Sequence, residues 1–373
     1  MSEFASTPAH SFRSFIAELF TVLPRVDQRR WAGAYLEGFI ATPGKKTLRR
    51  IAAAVSASDT AAQSMHQFIN ASPWDWEPIR DELARWATYA MSPDALVIDL
   101  AYIRKRGMRS CGVHTRFVPS LGRAVSCQVG VAAVLASAEG AVPVDWRLHL
   151  PAAWLENEED RLRAKIPEHV AARGIAQQAL DMIDAMDRRT WAPALPVVGD
   201  FSGADDVAVL AHGLACRGSD FVIAIPPGTR VRTEHGYDGP VAGLPATGRN
   251  TVRMVAHRAH RQAPVLSATA VRLPGGVGAG TGREYQVLVA HSSAGGPPRW
   301  WLSNLTDVRR IAPLAGRLDR SVRVMRDLEE NFGLGDFEGR SFLGWHHHTT
   351  LVSVAYAWQQ LHAMAALGKR VPA

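Results

Sequence analysis

The sequence is poor in cysteine and lacks long apolar runs. Its 373 residues include three cysteines, Cys111, Cys127 and Cys216, which are isolated and lack metal-ligand spacing. No uncharged apolar stretch reaches about 18 residues, the length that a membrane span needs, and residues 1–10 carry no basic segment of the kind that opens a signal peptide. These absences exclude a disulfide scaffold and a membrane span, and they predict a cytoplasmic protein with reduced thiols.

Two common catalytic signatures are also missing. The chain has no Gly-x-x-x-x-Gly-Lys-Ser/Thr loop for nucleotide phosphates and no nucleophile elbow of the α/β-hydrolase type. A Ser-His-Asp triad stays open, because its members can come from any part of a chain.

Acidic residues are scarce in three blocks of the sequence. Residues 25–50 hold seven Lys or Arg against two acids, residues 104–123 hold six against none, and residues 309–326 hold six against one. Together with a net charge of +7, these blocks favour double-stranded DNA as the partner. The alternative is an arginine-rich surface without a role in binding. The basic residues predicted to contact DNA are Arg29, Arg30, Lys45, Lys46, Arg49, Arg104, Lys105, Arg106, Arg320 and Arg323.

Hydrophobic periodicity predicts four parts along the chain. Residues 1–92 have helical spacing and read as an N-terminal helical domain that binds DNA. Residues 93–225 start with strands and continue with helix and strand in alternation, which is typical of an α/β core. The first predicted strands lie at residues 95–99, 126–132 and 142–150, and one helical stretch is predicted over about residues 158–188. Residues 226–306 are rich in Gly and Pro and predict an inserted β-rich subdomain, and residues 307–373 predict two helices that complete the core.

Two carboxylates lie where short apolar strands end. Asp99 closes the run Leu96-Val97-Ile98, and Asp200 closes a second run about a hundred residues later. Paired strand-end carboxylates are half of a nuclease-type metal site, since hard oxygen ligands suit Mg²⁺. We therefore predict Asp99 and Asp200 as catalytic residues and as ligands of Mg²⁺.

A series of short motifs in this sequence resembles those of the insertion-sequence transposases of family 701, which are DDE-type transposases. The motifs occur in the same order as in that family, from about residue 25 to residue 358, which covers nearly the whole chain. They lie at residues 44–46, 66–69, 72–76, 127–131, 144–151, 179–182, 301–305, 333–341 and 344–348.

The resemblance implies an RNase H-like catalytic core in which three carboxylates hold two divalent cations. Two such metals activate the attacking oxygen and stabilise the leaving oxygen of an in-line phosphoryl transfer. The first two family acids map onto Asp99 and Asp200. Transposases of this kind commonly act as dimers, so the resemblance also implies a homodimer.

The third family acid is missing from this sequence. In the family, a motif that contains the catalytic Glu precedes the motif that starts here at Gly333. The corresponding residues of this sequence are Leu318-Asp319-Arg320-Ser321-Val322, and Val322 occupies the position of the Glu. A family Lys further along is replaced by Glu329. An apolar side chain cannot bind a metal ion, so the predicted site is degenerate. Asp319, one helical turn before Val322, is the best substitute acid.

Three functions stay open at this point. The first is a DNA-binding descendant of a transposase that no longer moves DNA and acts as a regulator. The second is an active Mg²⁺-dependent transposase that uses Asp319. The third is an RNase H-like frame recruited as a scaffold or as an enzyme for a small-molecule substrate, which the apolar Leu100 and Ala101 beside Asp99 would suit.

Overall fold

The computed structural model describes residues 12–58, 60–118, 121–204, 206–244, 250–253, 265–274, 283–290 and 298–366. It divides into two compact units. The first contains the described residues among 1–93, 100–173 and 320–373, and the second contains 94–99 and the described residues among 174–319. No helix within the described ranges combines the length and apolar composition that a membrane crossing requires.

The N-terminal part of the first unit is helical. Its α-helices are α1 Phe12–Leu19, α2 Val26–Ala41, α3 Leu48–Val55, α4 Ala61–Asn70 and α5 Glu77–Met91. Helix α3 begins after Thr47, whose hydroxyl accepts the backbone N–H of Arg50, and α5 ends at Ser92 in a left-handed conformation. The order of these helices confirms the helical texture that the sequence predicts for this region.

Antiparallel strands follow in the same unit. The second half of β1 (Ala95–Arg104), β2 (His114–Val118), β3 (Arg123–Ala136) and β4 (Ala141–His149) belong to it, and β3 pairs with both β2 and β4. The C-terminal helix α11 (Phe342–Ala366) packs on β4 and on α2, α4 and α5. Because α11 is covered on several sides, its residues from 345 to 358 are buried almost throughout.

The second unit is built on parallel strands. The first half of β1 pairs with β5 (Val197–Asp200), and β5 pairs with β6 (Phe221–Ile225), both in parallel. Their side chains are almost entirely buried, as expected for strands covered on both faces. Helix α8 (Ile175–Asp187) precedes β5, and α9 (Val207–Cys216) connects β5 to β6.

A β-rich insertion continues the sheet of the second unit. After β6 the order is β12, β11, β10 and β9, all antiparallel, and β7 and β8 form a separate ribbon. These strands are β7 Arg230–Arg232, β8 Asp238–Pro240, β9 Asn250–Arg253, β10 Val265–Val271, β11 Tyr285–Ala290 and β12 Arg299–Ser303. Helix α10 (Val308–Glu330) follows, with its residues up to Asp319 in the second unit. The predicted α/β fold, an RNase H-like core with an N-terminal helical part and an inserted β-rich part, is confirmed.

Two local predictions differ from the structure. A single helical stretch was expected over residues 158–188, but α6 (Ala152–Glu156) and α7 (Glu158–Ala164) are short, and α7 ends at Lys165 in a left-handed conformation. Pro167 follows and favours an extended conformation at the residue before it. Strand β2 is not predicted from the sequence. Its inward-facing positions include the polar residues His114 and Arg116, so the strand lacks an alternation of apolar and polar residues. The four domain boundaries stay a prediction.

Candidate active site

Asp99 and Asp200 occupy neighbouring positions on two parallel strands. The register of β1 and β5 pairs Ile98 with Gly199, and each aspartate is the next residue along its strand. Parallel strands lie about 4.8 Å apart and cross-strand partners point to the same face. The two carboxylates therefore share one face of the sheet. Asp99 is 7% exposed, whereas the side chain of Asp200 is 26% exposed.

Both carboxylate oxygens of Asp200 have partners within the protein. Oδ1 accepts the backbone N–H of Ser202 at 2.9 Å. Oδ2 accepts Nη2 of Arg299 at 2.6 Å, which makes a salt bridge between residues 99 positions apart in the sequence. Sequence reasoning missed Arg299. The only indication in the sequence was the position of Arg299 directly before Trp300 and Trp301, next to the family-like motif at residues 301–305.

The sheet register explains how Arg299 reaches Asp200. Asp200 pairs with Ala224 on β6, and Ala224 pairs with Trp301 on β12, so these three side chains form one row on one face. Arg299 lies two residues before Trp301 and points to that same face. Its guanidinium lies 5.3 Å from the centre of the Trp301 ring.

The described residues do not fit a two-metal centre. A metal centre of this type uses three carboxylates, and no group of three or more His, Cys, Asp or Glu side chains within the described ranges is placed to hold a metal ion. The guanidinium of Arg299 already neutralises Asp200 on the side of Oδ2. The described residues therefore provide no complete ligand set for Mg²⁺-dependent strand cleavage.

Within the second unit, the first half of α10 is tied to the start of β1. Nε and Nη2 of Arg317 donate to the two carboxylate oxygens of Asp94, each at 2.7 Å. Asp319 lies two residues further along the helix, a rotation of about 200°, so its side chain points away from the direction that Arg317 takes. Asp319 is exposed to solvent. The side chain of Asp319 therefore does not point toward β1, where a substitute for the third acid would have to join Asp99.

The position that the resemblance assigns to the third acid, Val322, lies in the first unit. Val322 is 49% exposed, although it follows buried Leu318 by one helical turn. An apolar side chain thus faces solvent at the position that the resemblance assigns to a catalytic Glu. Burial raises the pKa of Glu329 further along α10, and the nearby Arg104 acts in the opposite direction.

Four of the basic residues predicted to bind DNA contact the protein itself. Lys46 is buried and its ammonium donates to the carbonyl oxygens of Phe39 and Thr42. Lys105 donates to two carbonyl oxygens between residues 335 and 337, and burial lowers its pKa to about 8. Arg29 donates to the carbonyl oxygen of Leu23, and Arg320 to those of residues 138 and 139. These contacts stabilise the first unit and leave less of each cation for DNA.

The other six predicted DNA-contact residues are exposed. Lys45 makes an exposed ion pair with Glu338 at 3.1 Å, which costs little to exchange for a phosphate contact. All ten predicted residues belong to the first unit, whereas Asp99, Asp200 and Asp319 belong to the second. The exposed set is Arg30, Lys45, Arg49, Arg104, Arg106 and Arg323.

Comparison with known proteins identifies the family. The family model of DDE superfamily endonucleases matches residues 18–276, more than two thirds of the chain. The matched range includes Asp99 and Asp200 and ends before α10. No curated protein matches the sequence. With an α/β core that carries two aspartates on adjacent strands, this chain belongs to the DDE superfamily of endonucleases.

Proposed function

We propose that this chain is a DNA-binding member of the DDE superfamily that no longer moves DNA and acts as a regulator. The observation that supports this proposal best is the unbroken positive charge of the segment that follows Asp99. No Asp or Glu occurs between residues 100 and 138, and the six basic residues there include exposed Arg104, Arg106 and Arg109. Such a segment attracts the phosphates of duplex DNA without reading its sequence.

The loss of strand transfer is supported by two of the positions that are expected to provide metal ligands. Val322 provides no ligand, and Asp200 is held by Arg299. Three free cysteines, Cys111, Cys127 and Cys216, favour a reducing compartment such as the cytoplasm. A homodimer stays part of the proposal because the related transposases pair.

The experiment is a titration of fluorescent duplex DNA with the protein at several salt concentrations. We expect tight binding at low salt that falls with a log–log slope of about −0.9 for each phosphate contacted. Arg106→Ala with Arg109→Ala should weaken binding and make the slope shallower by about 2. The matched control is Arg230→Ala with Arg232→Ala, which removes the same charge from exposed β7 and should leave the slope unchanged. Negligible binding at low salt would refute the proposal.

An active transposase that uses Asp319 is the second candidate. It predicts Mg²⁺-dependent cleavage that Asp99→Ala and Asp200→Ala each abolish. The rotation of Asp319 away from Arg317 argues against it, as does the absence of a third ligand among the described residues. We expect no cleavage of duplex DNA by the wild-type protein with Mg²⁺ or Mn²⁺.

A small-molecule function has one observation in its favour. A cavity of about 360 Å³ in the first unit lies between α10, α11 and the turn before β4, which is within the size range of ligand pockets. Its charged lining suits a small anion: Arg320, Arg323, Arg326, Asp327 and Glu330 contribute to it, together with Tyr356 and Gln360. If duplex DNA does not bind, this cavity is where a ligand should be sought.

A further inference from the structure

The environment of Asp200 is that of a carboxylate with a permanent protein counterion. Its Oδ2 is 2.6 Å from Nη2 of Arg299, and its Oδ1 accepts the N–H of Ser202. A Mg²⁺ ion would sit about 2.0–2.1 Å from a carboxylate oxygen and keep an octahedral shell around it. The guanidinium occupies the space that this shell would need on the side of Oδ2.

Arg299 is also held in place by the sheet beneath it. Its guanidinium lies over Trp301 at 5.3 Å from the ring centre, a separation at which the ring face attracts a cation. Trp301 itself is 6% exposed and is fixed by pairing of β12 with β6 and β11. Since backbone, ring and carboxylate all favour one position, the arginine is preorganised over the row of Asp200, Ala224 and Trp301.

Arg299 also changes the charge at the site. Asp99 and Asp200 supply two negative charges on one face, and the guanidinium brings one positive charge into direct contact with one of them. A divalent cation placed there would meet a fixed like charge a few ångströms away, which opposes its binding. The substitution at Val322 removes a ligand, whereas Arg299 actively excludes the ion.

We propose that Arg299 is a built-in counterion that takes the place of the metal and closes the Asp99–Asp200 pair to divalent cations. Removing the guanidinium should open the pair to one ion per chain. This inference concerns the acidic pair of the second unit and is independent of DNA binding, which the proposed function places on the first unit.

The test is a titration of the full-length protein with Mn²⁺, followed by electron paramagnetic resonance of the free ion. We expect the wild-type protein and Asp200→Asn to bind Mn²⁺ equally weakly. Arg299→Gln should acquire one site with at least about tenfold higher affinity, because a fixed positive charge has been removed. Arg299→Lys, which keeps the charge, should acquire no site. The double variant Arg299→Gln, Asp200→Asn should bind as weakly as the wild-type protein.

Two results would overturn this inference. The first is a wild-type protein that binds one Mn²⁺ tightly and no longer binds it after Asp200→Asn. The second is a folded Arg299→Gln protein, judged by circular dichroism, that binds no better than wild type. If Arg299→Gln does not fold, Arg299→Met, which removes the charge and keeps most of the side-chain volume, takes its place in the same comparison. DNA affinity of the same proteins, measured separately, reports on the proposed function alone.

Discussion

At the scale of single residues, the most heavily engaged side chain of the first unit is Arg80. It is 1% exposed, and its guanidinium donates to Asp145 Oδ1 at 3.0 Å and to the carbonyl oxygen of Trp146 at 2.7 Å. It also contacts Thr350 and the carbonyl oxygen of His346 at the start of α11. One buried cation thus connects α5, β4 and α11.

We expect Arg80→Met to lower the free energy of unfolding by about 3–5 kcal/mol. The change removes the buried partner of Asp145, leaves Arg147 at 3.3 Å as its ion-pair partner, and takes the donor from the buried carbonyl oxygen of Trp146; breaking a buried ion pair on one side is costly. Urea unfolding monitored by tryptophan fluorescence measures this. The control is Arg13→Met, which breaks the exposed pair with Glu37 and should cost less than about 1 kcal/mol. Equal effects of the two substitutions would contradict the proposed role of Arg80.

The histidine tract at residues 346–348 is also a matter of single residues. His347 stacks on Trp74 with ring centres 3.6 Å apart, and both of its ring nitrogens lie 2.8 Å from carbonyl oxygens, those of Ile69 and Trp74. These carbonyls raise the pKa of His347, but burial outweighs them and lowers it to about 4. Burial also lowers the pKa of His348 to about 4. The tract is part of the core and contributes no metal ligand set.

A pH dependence of stability follows from these two pKa values. Above pH 6.5 both rings are neutral in the folded and unfolded chains, and stability is complete. As pH falls from 6.5 toward 4 the unfolded chain takes up protons that the folded chain does not. The free energy of unfolding should therefore fall by about 1.4 kcal/mol per pH unit for each ring.

Urea unfolding at pH 7, 6 and 5 tests this expectation. Stability that rises as pH falls toward 5 would contradict the prediction. It would mean that His347 is protonated in the folded protein and donates to both carbonyls.

At the scale of elements, helix α2 shows how close packing fixes the identity of a helical residue. A Cβ on Gly38 would overlap the carbonyl oxygen of Ile51 in α3 and lie 3.0 Å from its Cγ2. A Cβ on Gly33 of the same helix would meet only Ile16 Cγ2, at 3.9 Å. The two glycines therefore have different roles in one helix.

Alanine substitutions at these two glycines should have opposite effects. Gly33→Ala should stabilise the protein by about 0.5–1 kcal/mol, because it removes the backbone entropy cost of a helical glycine. Gly38→Ala should destabilise it by about 1–3 kcal/mol, since α2 and α3 must separate to admit the methyl group. Chemical denaturation of both variants measures the change in the free energy of unfolding. A Gly38→Ala protein that is more stable than wild type would show that the packing of α2 on α3 is loose.

At the scale of the whole molecule, the predicted DNA contacts and the acidic pair belong to different units. We expect Asp99→Asn and Asp200→Asn to leave the affinity for duplex DNA and its salt dependence unchanged, to within about twofold. Arg106→Ala with Arg109→Ala should weaken binding by about tenfold or more at moderate salt, because fewer phosphates are neutralised and fewer counterions are released. Fluorescence anisotropy at two salt concentrations measures both effects. An effect of the aspartate variants as large as that of the arginine pair would place DNA at the acidic site.

The sequence by itself determined the α/β class, most of the order of the helices and strands and the placing of Asp99 and Asp200 at strand ends, because these depend on local periodicity and on where apolar runs end. Through the family resemblance it also predicts that Val322 stands where a third acid is expected. The sequence did not show that α7 ends at Lys165 or that β2 forms, since isolated short elements carry weak local signals. Nor did it show which basic residues are exposed.

Only the tertiary structure decided the state of the acidic pair and of the histidine tract. Arg299 reaches Asp200 across 99 residues because β5, β6 and β12 are neighbours in one sheet. Lys105 contacts the backbone carbonyls of Gly335 and Phe337, which chain folding brings to it across more than two hundred residues. A side chain's charge can be read from sequence, but the partner that neutralises it depends on contacts between distant segments.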